Sequence, residues 1–325
     1  VTTEEPLPTG APGAAPTPLH AVAATEYLNL DLWAANLEHA TPDLVSWLAL
    51  VEHRMAEAAG GGAAALVMPE YACAQWLAFA PADLPPAARL GWLADIGVDA
   101  LATMAALSAR YGVALLPGTV PHRVTGTPDI TNRAWFLTPD GGAFHQDKLS
   151  LTPAEEAGAD GTSQRGDSVT VFHWLGLRVA MTVCLDIEYT ELCARLGRLD
   201  LDLVLVPAKT DMITGYNRVF GSAHSRATEL QTAVCAVGAV GVPLGHPALD
   251  TGIGGASAYL PCDMSVSLDG VFAALAPHPA IAGTSPVLTV RDLPVGQCRR
   301  IRNGAAEAEV NPASWSARHL TVTEA

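Results

Sequence analysis

Three residues of this chain are of types that together carry out acyl transfer. They are Glu70 in Val67-Met68-Pro69-Glu70-Tyr71, Lys148 at the end of His145-Gln146-Asp147-Lys148, and Cys184 at the end of Val179-Ala180-Met181-Thr182-Val183-Cys184. Attack on an acyl carbon needs a nucleophile, a base that takes its proton, and a cation or hydrogen-bond donor for the developing oxyanion. Cys, Glu and Lys supply these parts. An ammonium beside the thiol is expected to favour thiolate, and a desolvated glutamate is expected to hold a pKa suited to proton transfer. Each residue taken singly has a plainer reading: a packing cysteine, a solvated loop carboxylate, a surface lysine. Two observations weigh against those readings. Cys184 stands where an apolar run stops and Asp186, Glu188 and Tyr189 begin, a place that turns its sulfur toward a crevice. Of the 18 Lys and Arg residues only Lys148 and Lys209 are lysine, so a retained lysine implies a role that a planar guanidinium cannot fill.

The elements that must position these residues follow from the hydrophobic pattern. From about residue 20, short strand-like runs alternate with longer helix-like ones, the pattern of an α/β fold. A first strand is expected over 20–28, and a helix follows with Thr41 near its cap and the glycines at 60–62 ending it. The run at 63–68 is a strand that delivers Glu70. A helical stretch to Arg110, a strand within 111–120 and a hairpin around Pro139-Asp140-Gly141-Gly142 come next, the hairpin running out at Lys148. Strands over 168–174 and 177–183 lead to Cys184. An amphipathic helix over 188–200, a buried strand at 203–207, a helix at 217–230 and a strand at 232–241 complete the centre. In open α/β sheets ligands sit beyond the carboxyl ends of the strands, and Glu70, Lys148 and Cys184 each follow a strand. No linker composition divides the chain. One domain is expected over 21–303, between a Pro-rich flexible segment at 1–20 and an extension at 304–325.

Composition excludes several classes of function. Half of the 325 residues are hydrophobic, enough for a sizeable core, and the net charge of −15 repels nucleic acid and anionic membrane surfaces on average. No run of ~18 uninterrupted apolar residues appears, and residues 1–20 lack the basic and apolar regions of a signal peptide, so a cytoplasmic setting is expected. The six cysteines show no zinc-like spacing with one another or with histidine. Neither a phosphate-cradling loop nor a dinucleotide fingerprint is present. No metal or organic cofactor is expected.

The segments "VMPEY", "HQDKLSLTPAEE" and "VAMTVCLDIEY", in this order on an alternating α/β chain, resemble the nitrilase superfamily of carbon–nitrogen hydrolases. The resemblance extends from about residue 20 to 300 and includes "RGDSVTVFHWLGLRVAMTVCLD", "LVLVPAKTD", "RATELQTAVCAVGAVG" and the late hairpin at "GGASAYLPCD". It implies a four-layer α-β-β-α sandwich and a homodimer or larger homo-oligomer, the helix after Cys184 helping to form the interface. It implies Cys184 as nucleophile, Glu70 as general base, and Lys148 as the cation that shares an oxyanion hole with the Leu185 N–H. A second glutamate that positions lysine and substrate falls on Glu155 or Glu156, with Glu155 favoured. Tyr71, Trp76, Glu156, Lys209, Asp211 and Met212, with Tyr216, are candidate substrate contacts. The implied reaction is hydrolysis of a small amide to acid and ammonia or amine through a Cys184 thioester. Nitrile hydrolases of the superfamily usually carry Trp-Glu after the nucleophile, whereas this chain has Leu185-Asp186; the aspartate leans to the amidase-like branches and the leucine withholds a finer assignment. A nitrile hydrolase and an N-carbamoyl amine hydrolase remain as alternatives. An acyltransferase is disfavoured by the lack of membrane spans. A binding module without catalysis is disfavoured by the retention of all three reactive residues.

Overall fold

The computed structural model describes residues 26–34, 41–158, 163–241, 252–279, 286–307, 321 and 323. The first part of the chain supplies β1 (Leu28–Trp33), α1 (Leu44–Gly60), β2 (Ala65–Val67), α2 (Arg89–Tyr111), β3 (Ala114–Leu116), β4 (Thr119–Arg123), β5 (Ile130–Leu137), β6 (Ala143–Asp147), α3 (Pro153–Ala157) and β7 (Ser163–Gln164). The second part supplies β8 (Val171–Trp174), β9 (Leu177–Met181), α4 (Thr190–Leu196), β10 (Leu203–Lys209), α5 (Ile213–Leu230), β11 (Ala233–Ala239), β12 (Gly254–Tyr259) and β13 (Val271–His278), then β14 (Val287–Leu293) and α6 (Val295–Arg300). Two sheets result. One runs β14-β1-β2-β3-β5-β4, with β6 and β7 also paired to β5, and the other runs β13-β12-β11-β10-β9-β8. Each has a parallel centre, β1-β2-β3 in one and β9-β10-β11 in the other. Parallel neighbours require crossover connections, which helices supply.

Period-two patterning sorts side chains between the layers. Leu28, Leu30, Leu32, Ala65, Val67, Ala114, Leu116, Ala134 and Phe136 join the core shared with the second sheet. Trp33, Leu66, Leu115 and Leu137 instead meet Trp47, Val51 and Met55 of α1 and Leu93, Leu101, Met104 and Leu107 of α2. Strand β10 is apolar almost throughout because both of its faces are covered. Helix α5 places Tyr216, Val219, Phe220, Ala223, Ala227 and Leu230 against the second sheet. The layers are therefore α-β-β-α, as the resemblance implied. Helix α2, with the turn before it, is long and apolar enough by composition to cross a membrane; here its apolar face covers the first sheet.

Three expectations need correction. The first strand begins at Leu28, not at residue 20, and residues 20–25 lie outside the described residues. The cap of α1 is Asp43, whose carboxylate accepts the Ser46 N–H at 2.7 Å, while Thr41 is buried. Strand β14, absent from the sequence reading, pairs antiparallel with β1 in the register Leu30 to Val290 and Trp33 to Val287. It brings α6 across the amino end of β10. There Asp202, fully buried, accepts Arg299 Nε at 2.9 Å and Arg302 Nη2 at 2.8 Å on one oxygen, and Arg299 Nη2 at 2.6 Å and the Arg178 N–H at 2.9 Å on the other. After α6 the chain passes into the turn Ile301–Ala305. The segment 1–20 and most of 304–325 lie outside the described residues.

Candidate active site

Glu70 comes three residues after β2. The Met68 N–H still pairs with Leu116 O at 2.8 Å, after which the chain turns sharply through Tyr71, whose φ of 54° is left-handed. The turn is held by the Tyr71 N–H on Thr119 Oγ1 at 2.9 Å. Gly118, at φ +82°, passes so close beneath it that a Cβ would collide with the Pro69 carbonyl. The Glu70 carboxylate is 2% exposed. Its Oε1 accepts Asn132 Nδ2 at 2.8 Å and Lys148 Nζ at 2.9 Å, and its Oε2 accepts the Lys209 backbone N–H at 2.9 Å. Since Lys209 ends β10, this carboxylate bridges the two sheets.

Lys148 follows β6 directly, fixed by its N–H on Asn132 O at 2.9 Å. Its ammonium is as buried as Glu70 and lies 2.9 Å from Glu70 Oε1 and 3.0 and 2.9 Å from the two oxygens of Glu155. Burial opposes its charge, but the negative charges of Glu70, Cys184 and Glu155 outweigh it and hold the pKa well above the usual lysine value. Glu155 is held by the start of α3. Thr152 caps that helix and Glu155 reaches back to the Thr152 N–H at 2.8 Å, a reciprocal capping box. Burial raises the Glu155 pKa, but Lys148 and the Thr152 donors prevail and the carboxyl titrates below its ordinary range.

Cys184 comes three residues after β9, with a left-handed φ of 49°, and opens a short 3-10 turn, Cys184–Glu188. A non-glycine residue in this region costs energy and persists only where its surroundings over-determine it. Here Asp186 accepts the N–H of Val183 at 3.1 Å, and from α5 Arg226 donates to the carbonyls of Ile187 and Glu188, both at 3.2 Å. The thiol donates to Lys209 O at 3.4 Å. The expected thiolate is not favoured. Burial, then the neighbouring Glu70 carboxylate, push the thiol pKa well above its ordinary value, and the lowering effect of Lys148 is smaller. The Cys184 side chain is thereby held toward the thiol form beside Glu70.

Glu70, Lys148, Glu155 and Cys184 are thus brought together, with Leu185 next to the thiol in the same turn. Tyr71 joins them through its hydroxyl, 3.4 Å from Glu155 Oε1. Lys209 meets the site through its backbone, while its ammonium pairs with Asp211 at 2.8 Å. Asp211 and Met212 are exposed, at 57% and 66%. Trp76 is not at the site: it is fully buried on the helix side of the first sheet, edge-on to Trp47 at 5.3 Å. Tyr216 stacks on Phe220 at 3.9 Å, and Glu156 points away to pair with Arg165 at 2.6 Å on the surface. One residue of the cluster escaped the sequence reading. Asn132 is buried between the two glutamates, donating to Glu70 and, at 3.4 Å, to Glu155. Its signal was a polar residue on the inward phase of β5, in step with Ala134 and Phe136. Asp186, read in the sequence only as a mark of the amidase-like branches, is buried completely and bonded to the lysine loop. Among the described residues no group of three or more His, Cys, Asp or Glu could hold a metal ion.

Comparison with known proteins gives the family and the fold. A profile of the carbon-nitrogen hydrolase family matches residues 32–278, and the chain belongs to that family. It is 27% identical over 205 residues to a protein named probable hydrolase YhcX from Bacillus subtilis (strain 168), a match covering 63% of this chain and 39% of that one. The chain thus spans about two fifths of the length of that curated relative. Among solved structures, the amidase from Nesterenkonia sp. AN1 in complex with butyramide superimposes with a TM-score of 0.62 at 20% identity, over 85% of this chain and 95% of that one. Another form of that enzyme, carrying the acetamide moiety of fluoroacetamide on its active-site cysteine, gives 0.62 at 19% identity over 85% and 94%. These structures share the fold.

Proposed function

We propose that this chain is an amidase that hydrolyses a small amide to the carboxylic acid and ammonia through a thioester on Cys184. The observation that carries the reading is the meeting of Cys184, Glu70, Lys148 and Glu155 in one buried cluster where the two sheets adjoin. The solved amidase from Nesterenkonia supports it, since its structures hold butyramide and an acetamide group attached to the active-site cysteine.

As Cys184 Sγ attacks the amide carbon, Glu70 takes the thiol proton and the carbonyl electrons move to oxygen. The oxyanion is held by Lys148 Nζ and the Leu185 N–H. Lys148 keeps its proton because its pKa lies well above the usual value, so it serves as a fixed charge and not as an acid. When the tetrahedral intermediate collapses, the C–N bond breaks and the proton on Glu70 goes to the departing nitrogen. Glu70, ionised again, takes a proton from water as its oxygen attacks the thioester, and returns it to sulfur as the acid leaves. Glu155 and Asn132 hold Lys148 and Glu70 in register throughout.

Ammonia release from small aliphatic and aromatic amides, N-carbamoyl amines and the matching nitriles tests the proposal, with Cys184→Ala as blank. Turnover of amides and not of nitriles is expected. Turnover of nitriles alone would replace the amidase reading with the nitrile one. No turnover of any of them, with Cys184 inert to alkylation, would favour a binding module.

A further inference from the structure

Asp186 takes no part in the reaction proposed above, yet it is completely buried between the two loops that carry the reactive groups. Its Oδ1 accepts the Ser150 N–H at 2.8 Å and the Leu149 N–H at 3.2 Å; its Oδ2 accepts Leu149 at 3.1 Å and Val183 at 3.1 Å. Val183 immediately precedes the nucleophile, and Leu149 and Ser150 immediately follow the lysine. Strand β6, which ends at Asp147, belongs to the first sheet, and β9, which leads to Cys184, belongs to the second. One carboxylate therefore ties the Cys184 turn to the Lys148 loop across the sheet-to-sheet junction.

We infer that Asp186 is a positioning residue that sets the distance between Cys184 and Lys148. This rests on the catalytic reading above. Three converging N–H groups call for an acceptor on both oxygens, which only the ionised carboxylate provides. An amide in its place turns an NH₂ toward one of those donors and pushes a loop away. Effective positioning tolerates little error: a displacement of about 1 Å costs on the order of 100-fold in rate.

Burial pushes the Asp186 carboxyl up to about 6, against the pull of the Leu149 and Val183 N–H groups, the Lys148 charge and the Ser150 N–H. The titratable groups on the elements packed around it are Cys184 and Glu188 on its own turn, Lys148 on the facing loop with Glu70 and Glu155 beyond it, and Arg226 from α5. Proton uptake by Asp186 removes an acceptor from the N–H cluster and loosens the two loops. Because the folded-state value lies above the ordinary aspartate value of 3.8, protonating this residue between pH 6 and 4 favours the folded state in free energy. Activity and stability thus respond with opposite signs to the same proton.

The test compares the wild-type chain with Asp186→Asn and Asp186→Glu. For a hydrolysed amide, kcat of Asp186→Asn is expected to fall on the order of 100-fold with KM changed less than about threefold. The wild-type profile is expected to carry an acid limb near pH 6, Asp186→Asn to lose it, and Asp186→Glu to recover part of the rate and the limb. A kcat per folded molecule within threefold of wild type, or an acid limb unchanged in Asp186→Asn, would overturn the inference. The second arm needs no substrate. Iodoacetamide alkylation of Cys184 is expected to shift to higher pH in Asp186→Asn, as Lys148 slips from the thiol, and an unshifted profile counts against the inference even if the amide panel is silent. A third arm needs no variant. Amide-exchange protection of Val183, Leu149 and Ser150 in the wild-type chain is expected to fall as pH drops from 7 to 5, and constant protection would also overturn it.

Discussion

Two clusters of buried charge lie at opposite ends of β10, and they are built on different rules. At its amino end Asp202 is surrounded by arginine: Arg299 and Arg302 with the Arg178 N–H fill two acceptor positions on each of its oxygens. At its carboxyl end the cation is a lysine, the carboxylates outnumber it, and Glu70 Oε2 accepts the Lys209 N–H with the Cys184 thiol beside it. Planar guanidinium forks saturate a carboxylate and fix it. A compact ammonium leaves room beside itself for a developing charge. In a chain where arginine serves nearly every other basic position, the difference marks which cluster holds the fold and which has capacity for chemistry.

The sharpest way to break this contrast is at the nucleophile. Cys184→Ala is expected to abolish turnover, with the residual rate at least about 1000-fold down, while thermal unfolding stays near that of the parent. Exchanging cations comes next. Lys148→Arg is expected to cost on the order of 100- to 1000-fold in kcat, whereas Arg299→Lys leaves kcat intact and lowers stability by about 1 kcal/mol through loss of the two-pronged bond. An active Lys148→Arg would show that the site accepts any cation. Asp202→Ala is expected to destabilise by about 2–3 kcal/mol, toward the lower end for a broken buried pair because Arg299 is a third exposed, and to leave kcat per folded molecule unchanged. Gly118→Ala should combine both effects, pushing Pro69 and with it Glu70, for a loss of about tenfold in kcat together with lowered unfolding temperature.

Acid separates the clusters as well. Burial works to raise the Asp202 carboxyl, but Arg299, the Arg178 N–H and Arg302 hold it below 3.8. Its stabilising contribution is present above that ordinary value and is lost only as pH falls through the lower folded value. Asp186 responds around 6 with the opposite sign. Between pH 7 and 5 the chain is therefore expected to lose activity without losing the Asp202 contribution to its melting temperature, which a parallel activity and calorimetry series checks.

Glu70, Lys148 and Cys184 were legible in the sequence because each is a reactive residue placed just past a recognisable strand. Glu155 was legible against Glu156 for a local reason: only Glu155 stands three residues after Thr152, where a capping box requires it. The thiol's protonation state was not legible, since it depends on how deeply Cys184 is buried and on which side Glu70 approaches, and neither is local. Asn132 was missed, and Asp186 was read only as a mark of the amidase-like branches, because their bonds run to loops that follow other strands. Strand β14 was missed because its partner is the first strand, more than 250 residues earlier. Trp76 was misplaced because the 3-10 helix Ala72–Phe79 that follows Tyr71 carries it to the helix side.

The Thr152 capping box joins two things usually kept apart. The carboxylate in the first turn of α3 is the one that pairs with Lys148, so that turn of a five-residue helix cannot fray without taking a partner from the buried ammonium. Under the proposed mechanism Thr152 is therefore expected to bear on turnover through the start of a helix: a change there that melts residues 153–157 is felt at Lys148, and a substrate that presses on the ammonium firms that helix in return.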